Sequence, residues 1–191
     1  MFIKTEALRR TNKMSTFNIL IAGFGGQGVL FAGKCLAYNG LTEGKQVSWL
    51  PSYGPEMRGG TASCSVILSD SPVGSPIVSN PNVLIALNLP SLDKYEPTAV
   101  PGAKIFVESS LIDRKVERDD VDAFYIPATK MATELGAPTL ANMVILGKMI
   151  KETGVVGFDA VENGLKKVIP ARKADMLEIN LKALKAGYDF E

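Results

Sequence analysis

Phe17-Asn18-Ile19-Leu20-Ile21-Ala22 runs straight into Gly23-Phe24-Gly25-Gly26-Gln27-Gly28, and from there into Val29-Leu30-Phe31-Ala32-Gly33-Lys34-Cys35-Leu36-Ala37. The first six residues have the length and apolarity of a short buried strand, and the last nine read as a helix packed on a sheet. A chain that passes from strand to helix through glycines leaves backbone N–H groups pointing outward at the turn. The helix end adds about half a positive charge there. Such a corner suits a phosphate or another anion. The Gly-x-Gly-x-x-Gly spacing also stands in the strand–helix context of a dinucleotide fingerprint. That fingerprint needs a ribose-binding acid about 20 residues further on, at the end of the second strand. Here the second strand, Lys45 to Leu50, runs into Pro51-Ser52, with Glu43 before it and Glu56 well after it. Three readings of the glycines stay open: a nucleotide, close packing of helix on strand, or an anion or cofactor shared with a partner protein.

Outward from this corner, Asn39-Gly40 and Glu43-Gly44 mark the end of the first helix. Thr61 to Ser69 alternates small polar and apolar residues, which predicts a strand with one less buried face. Asp70 to Pro81 carries three Ser-Pro or Asn-Pro turn signals and is a connection. Val83 to Leu87, Lys104 to Val107 and Phe124 to Ile126 are apolar runs of strand length, with a short helix from Pro90 to Tyr95 between the first two. Pro127 suits a helix start. This alternation predicts an α/β chain, a three-layer α/β/α Rossmann-like domain spanning residues 17–191 with helices on both sheet faces. The link from Leu50 to Thr61 is too short for a helical crossover, so the sheet is expected to be mixed. Residues 1–16 are polar, lack the apolar core of a secretory signal, and are expected to be a flexible extension. Met14 reads as an alternative start. The C-terminal third predicts three helices. Thr139 is placed to cap the first, Leu140 to Thr153, with Gly154 beyond its end. Leu140, Met143, Val144, Ile145, Leu146, Met149 and Ile150 make this helix apolar nearly all round, where a surface helix shows one stripe. Such a helix is either central or covered by another chain, and partial cover by a partner is the favoured expectation. Asp159 to Val168 and Ala171 to Gly187 are the other two.

Of 191 residues, 46% are hydrophobic and 21% charged, with a net charge of +1, ordinary for a globular protein with its own core. The charge balance gives no electrostatic basis for binding nucleic acid or an anionic membrane. No apolar run reaches the roughly 18 residues of a membrane span. The two cysteines, Cys35 and Cys64, are isolated in sequence and read as small buried hydrophobes, too few for an iron–sulfur cluster or a structural zinc. With no disulfide framework the chain reads as cytoplasmic. It has no histidine, so a Ser–His or Cys–His nucleophile is excluded.

The second stretch with chemical content is Pro51-Ser52-Tyr53-Gly54-Pro55-Glu56-Met57-Arg58-Gly59-Gly60. Arg58 is a permanent cation whose fork of donors fits a carboxylate or phosphate. Glu56 can brace it, Tyr53 offers a flat face and a hydroxyl, and Gly59-Gly60 admits another backbone. The plainer alternative pairs Arg58 with Glu56 at the surface. This loop follows the second strand, so it should lie at the same sheet edge as Gly23–Gly28.

Gly23 to Val29 and Ser52 to Ala62 together resemble the gamma subunit of 2-oxoacid:ferredoxin oxidoreductases. Leu89-Pro90-Ser91-Leu92-Asp93-Lys94-Tyr95, Glu108-Ser109-Ser110-Leu111-Ile112 and Ala141-Asn142-Met143-Val144-Ile145-Leu146-Gly147 fit it too. The resemblance covers nearly the whole chain from Phe17. It implies a complex that decarboxylates a 2-oxo acid on thiamine diphosphate, passes electrons through iron–sulfur clusters to ferredoxin, and hands the acyl group to coenzyme A. It also implies that this chain holds none of those cofactors alone. The implied partners are alpha and beta subunits and a ferredoxin-like delta, with self-association possible for the isolated chain. Gly23, Gly25, Gly26, Gln27 and Gly28 are then expected to bind cofactor, and Tyr53, Glu56, Arg58, Gly59 and Gly60 to meet substrate or a partner. No residue of the chain is expected to act at the reacting carbon. The form of the second loop resembles the 2-oxoglutarate or 2-oxoisovalerate members, 2-oxoglutarate first. Two rivals remain: an NAD(P)-binding protein and a purely structural assembly subunit. The beta subunit of indolepyruvate oxidoreductase shares the first loop and matches less well at the second.

Overall fold

Near-continuous apolar runs at residues 19–22, 83–86 and 105–107 build a sheet that is buried on both faces. The structure, a computed structural model, describes residues 16–53 and 61–191. In chain order its elements are β1 (Thr16–Phe24), α1 (Val29–Thr42), β2 (Gln46–Tyr53), β3 (Thr61–Ser69), β4 (Val83–Ala86), α2 (Leu89–Tyr95), β5 (Lys104–Glu108), β6 (Asp122–Ile126), α3 (Ala128–Glu134), α4 (Ala141–Thr153), α5 (Phe158–Val168) and α6 (Ala174–Asp189). The strands form one sheet in the order β2-β3-β1-β4-β5-β6. β4, β5 and β6 follow β1 in parallel, while β3 runs antiparallel to both β1 and β2. The sheet is mixed, as the short β2–β3 link requires. The expected extension over residues 1–16 lies outside the described residues except for Thr16, which already belongs to β1.

Ile19, Ile21, Ile85 and Phe106 point to one face, and Leu20, Leu84, Ile105 and Val107 to the other. The two faces are covered unequally. On the first lie α1, α3 and α4, with α5 packed on α1 and α6 packed on α4. On the second, α2 is the only α-helix among the described residues. Leu92 from α2 shares that cover with Val78, Ala99 and Ile112, which come from irregular segments. Glu96, 4% exposed, holds those segments down. One carboxylate oxygen accepts from the backbone N–H groups of Glu117 and Arg118 at 2.6 and 3.2 Å, and the other pairs with Arg114 at 2.9 Å.

Four sequence expectations change. The apolar helix α4 needs no partner chain, because Met143, Val144, Ile145, Leu146, Met149 and Ile150 are buried between the sheet and α6. A Cβ on Gly147 would run into the Leu184 carbonyl, and one on Gly187 into the Val144 carbonyl, so paired glycines let the two helices touch backbone to backbone. Thr139 is not the cap of α4: a 3-10 turn over Pro138–Leu140 precedes the helix, and no side chain caps it. α1 continues through Asn39-Gly40 and stops only at Glu43, before Gly44 at φ 76°. β2 continues through Pro51 to Tyr53, which an edge strand tolerates because its missing N–H faces away from the sheet.

Candidate functional site

Two antiparallel steps restore the original direction, so β2 runs parallel to β1 and ends at the same edge. The register puts Gly23 opposite Ala62 and Ala62 opposite Tyr53, in one row across three strands. Tyr53 and Thr61, from which the second loop leaves and returns, therefore stand at the carboxyl edge beside Phe24. Strand order thus sets the two residues that flank the second stretch on the edge where the first glycine loop begins. Of the second loop's candidates, Tyr53 is described and exposed; Glu56, Arg58, Gly59 and Gly60 lie outside the described residues.

The first loop is braced by its own glutamine. Gln27 Oε1 accepts from Phe24 N–H at 2.7 Å, and its Nε2 donates to the Leu87 carbonyl at 2.9 Å, tying the turn after β1 to the end of β4. Gln27 N–H donates to the Phe24 carbonyl at 3.2 Å, so this amide closes the turn and is spent before any ligand arrives. Gly23 is buried against Gln27, Leu87 and Val29, the close-packing role the sequence left open for it. Gly26 (φ 99°) and Gly28 (φ 73°) occupy the left-handed region that favours glycine. Space is open beside Gly26, whereas a Cβ at Gly28 would collide with the Asn142 amide. Asn142 Nδ2 donates to the Gly28 carbonyl at 3.0 Å and so fixes α4 to the loop. No side chain caps α1, which leaves its first-turn N–H groups free for an anion.

β1 hands over to α1 on the first sheet face and β4 to α2 on the second, so the chain parts between these strands. Ligand crevices form at such a switch point. A cleft of about 230 Å³ opens there. Gly26 and Gln27 follow β1 into it, Leu87 follows β4, Glu108 ends β5, Thr129 comes from the start of α3, Thr139 from the 3-10 turn before α4, and Ala141 and Asn142 from the start of α4. Among the described residues its lining includes neither lysine nor arginine. Glu108 is 1% exposed; its Oε1 accepts from the N–H groups of Ser110 and Thr129 at 3.1 and 3.0 Å. In the sequence Glu108 and Asn142 stand within two of the stretches that carry the family resemblance, with no role of their own. The signal was present at Glu108, a carboxylate closing the apolar run Ile105-Phe106-Val107 at a strand's carboxyl end.

The remaining donor set is poor in metal ligands. Among the described residues no three His, Cys, Asp or Glu side chains cluster. Cys35 and Cys64 are fully buried, and burial pushes both thiols up to about 12, so neither presents a thiolate to a cluster. A bound dinucleotide also loses its usual geometry. β3 stands between β1 and β2, which moves the end of β2 about 10 Å from the glycine loop, two strand spacings instead of one. No helix among the described residues is long and apolar enough to cross a membrane.

Residues 18–190 match the family described as pyruvate ferredoxin/flavodoxin oxidoreductase. The ketoisovalerate oxidoreductase subunit VorA of Methanothermobacter marburgensis is 41% identical over 175 residues, which cover 90% of this chain and 36% of that protein. The 2-oxoglutarate synthase subunit KorC of Methanocaldococcus jannaschii is 34% identical over 174 residues, 90% of this chain and 91% of that one. The chain thus spans about a third of VorA and nearly all of KorC. The crystal structure of a keto/oxoacid ferredoxin oxidoreductase gamma subunit from Geobacter sulfurreducens is similar with a TM-score of 0.77 and 31% identity, over 91% of this chain and 96% of that one. The chain belongs to the pyruvate ferredoxin/flavodoxin oxidoreductase family.

Proposed function

We propose that this chain is the gamma-type subunit of a 2-oxoacid:ferredoxin oxidoreductase and that its carboxyl edge forms one wall of a site completed by other subunits. The observation that carries this is the parallel run of β1 and β2, which sets the uncapped start of α1 and the attachment points of the Arg58 loop on one edge. An anionic group, the substrate carboxylate or a coenzyme A phosphate, fits the free N–H groups at Gly28–Phe31, with Arg58 as the cation supplied from the second loop. In the complex, thiamine diphosphate supplies the carbon chemistry, iron–sulfur clusters of other subunits carry electrons to ferredoxin, and coenzyme A takes the acyl group. This chain's part is to bind and orient, which needs no proton shuttle of its own. Alpha and beta subunits, and a ferredoxin-like delta where present, are the proposed partners, in the cytoplasm.

2-Oxoglutarate is the proposed substrate on the form of the second loop, and KorC supports it. The 41% identity with VorA favours a second reading, the branched-chain 2-oxoisovalerate. Assay of the assembled complex with a panel of 2-oxo acids and ferredoxin decides between them. Arg58→Ala in that complex tests the wall: a raised KM for the oxo acid or for coenzyme A is expected. Unchanged values for both would leave the chain as an assembly subunit without contact to either.

A further inference from the structure

The sheet has two outer strands, and only one of them is protected. β6 is five residues long and carries Asp122 in an ion pair with Lys104. The segment before it folds against it: Val116 N–H donates to the Tyr125 hydroxyl at 2.9 Å, and Lys115 lies over the Tyr125 ring. A short, charged, covered strand resists pairing with another chain. β2, at the opposite flank, is eight residues long and has no charged side chain, and none of its residues is buried. Among the described residues no strand lies beyond it. Trp49 and Leu50 are each 37% exposed.

The hydrogen-bond ladder fixes which backbone groups β2 leaves free. The Asn18 and Ala22 carbonyls accept from Asn82 and Leu87 on the β4 side of β1, so Ile19, Ile21 and Gly23 face β3. Alternation through the register then turns Ser48, Leu50 and Ser52 toward β3, and Val47, Trp49 and Pro51 outward. Val47 and Trp49 each present an N–H and a carbonyl on that side, and Pro51 a carbonyl alone. Such a row is matched by another extended backbone.

We propose that β2 pairs antiparallel with β2 of a second copy about a two-fold axis through Trp49, joining two sheets into one. On that axis Trp49 exchanges both bonds with its counterpart, and each Val47 N–H donates to the Pro51 carbonyl of the other copy. The donor that Pro51 lacks falls opposite a Val47 carbonyl, which water can serve. The two indoles meet on the first sheet face from Cα atoms about 5.5 Å apart, an aromatic cross-strand pair. Leu50 of each copy lies beside Ser48 of the other on the second face, where no α-helix of the described residues packs on β2. The absence of charge is what selects a second copy as the occupant. A two-fold axis sets side chains near their own images, and like charges there would repel. The two carboxyl edges then point in opposite directions, so each stays open to other subunits. The inference stands on β2 and does not depend on what the glycine loop binds.

Sedimentation equilibrium of the full chain across the micromolar range tests it, together with the fluorescence of Trp49, the sole tryptophan. A monomer–dimer equilibrium is expected, with indole emission moving to the blue as the dimer forms. Leu50→Lys sets two ammonium groups on the open face beside the axis and should weaken the dimer about tenfold or more, and Leu50→Glu likewise. An equimolar mixture of the two variants should recover it, because opposite charges then meet, a rescue that misfolded chains could not give. Should both fold poorly, Ser48→Lys and Ser48→Glu on the same face serve in their place. Chains that stay monomeric at every concentration, variants that dissociate no more readily than wild type, or no recovery on mixing would overturn the proposal. Monomers whose Trp49 amide is protected only in the assembled complex would give the strand to another subunit, which overturns it equally.

Discussion

Gln27 decides whether the glycine turn keeps its shape, because one amide bridges Phe24 N–H and the Leu87 carbonyl. Gln27→Ala removes both bonds and should cost about 1–2 kcal/mol in denaturant unfolding. Gln27→Glu should cost more at pH 7, because a carboxylate would face the Leu87 carbonyl. That excess should shrink toward pH 4, as protonation gives back a donor. Spacing shows where a polar residue such as Gln27 stands and says nothing of which backbone groups its amide holds. The thiols were more legible, since isolated cysteines in apolar runs are ordinarily buried. Both titrate near 12 in the folded chain against an ordinary 9.0. Between those values the unfolded chain has released protons that the native chain retains. Stability therefore falls as pH rises through that window, by up to about 1.4 kcal/mol per pH unit for each thiol. Wild type should lose more stability than Cys35→Ala between pH 8 and pH 10. Ellman's reagent at pH 8 should find no thiol until denaturant is added, and then two.

The contact between α4 and α6 rests on Gly147 and Gly187, each filling the place where the other helix's carbonyl passes. Gly147→Ala should destabilise by about 3 kcal/mol or more, since the obstacle is backbone and cannot turn aside. Gly187→Ala should do the same, and the double variant should cost less than the sum, because the first substitution already parts the helices. Gly74→Ala, in open space without a left-handed backbone, should stay within about 0.5 kcal/mol. Denaturant midpoints at constant slope measure all four. This contact decides between the two readings of α4, central or covered by a partner, in favour of the first. An all-round apolar pattern shows that a helix is surrounded and is silent on whether the cover belongs to the same chain. Gly147 and Gly187, which admit the close contact, carry no signal in sequence of the backbone each one faces. The strands were legible because β1, β4 and β5 carry near-continuous apolar runs. The cover of the second sheet face was not, because Glu96 and Arg114, which pin it, look in sequence like any solvated charges.

The whole molecule turns one edge toward function, and strand order alone sets which edge. Short links force β2 and β3 to fold back as a hairpin, and β3 inserts between β1 and β2. The two reversals bring β2 back into line with β1. That β2 ends on the edge of the first glycine loop was legible, because a loop that follows a strand leaves from its carboxyl end. The cleft escaped it, because Glu108, Thr129 and Asn142 come from three elements that only the tertiary fold assembles. Phe24, Tyr53, Leu89 and Leu111 are large side chains exposed at or beside this same edge. If this edge is the wall of a shared site, assembly must cover it, while the opposite ends of the strands stay in water. Hydrogen exchange of the free chain and of the reconstituted complex should then differ most at Phe24–Gly28, Tyr53, Leu89 and Leu111. The turns at Gly44 and Gly102, at the far ends, should exchange alike in both. Protection confined to those far turns would place the partners on the other side of the sheet and remove the carboxyl edge from the site.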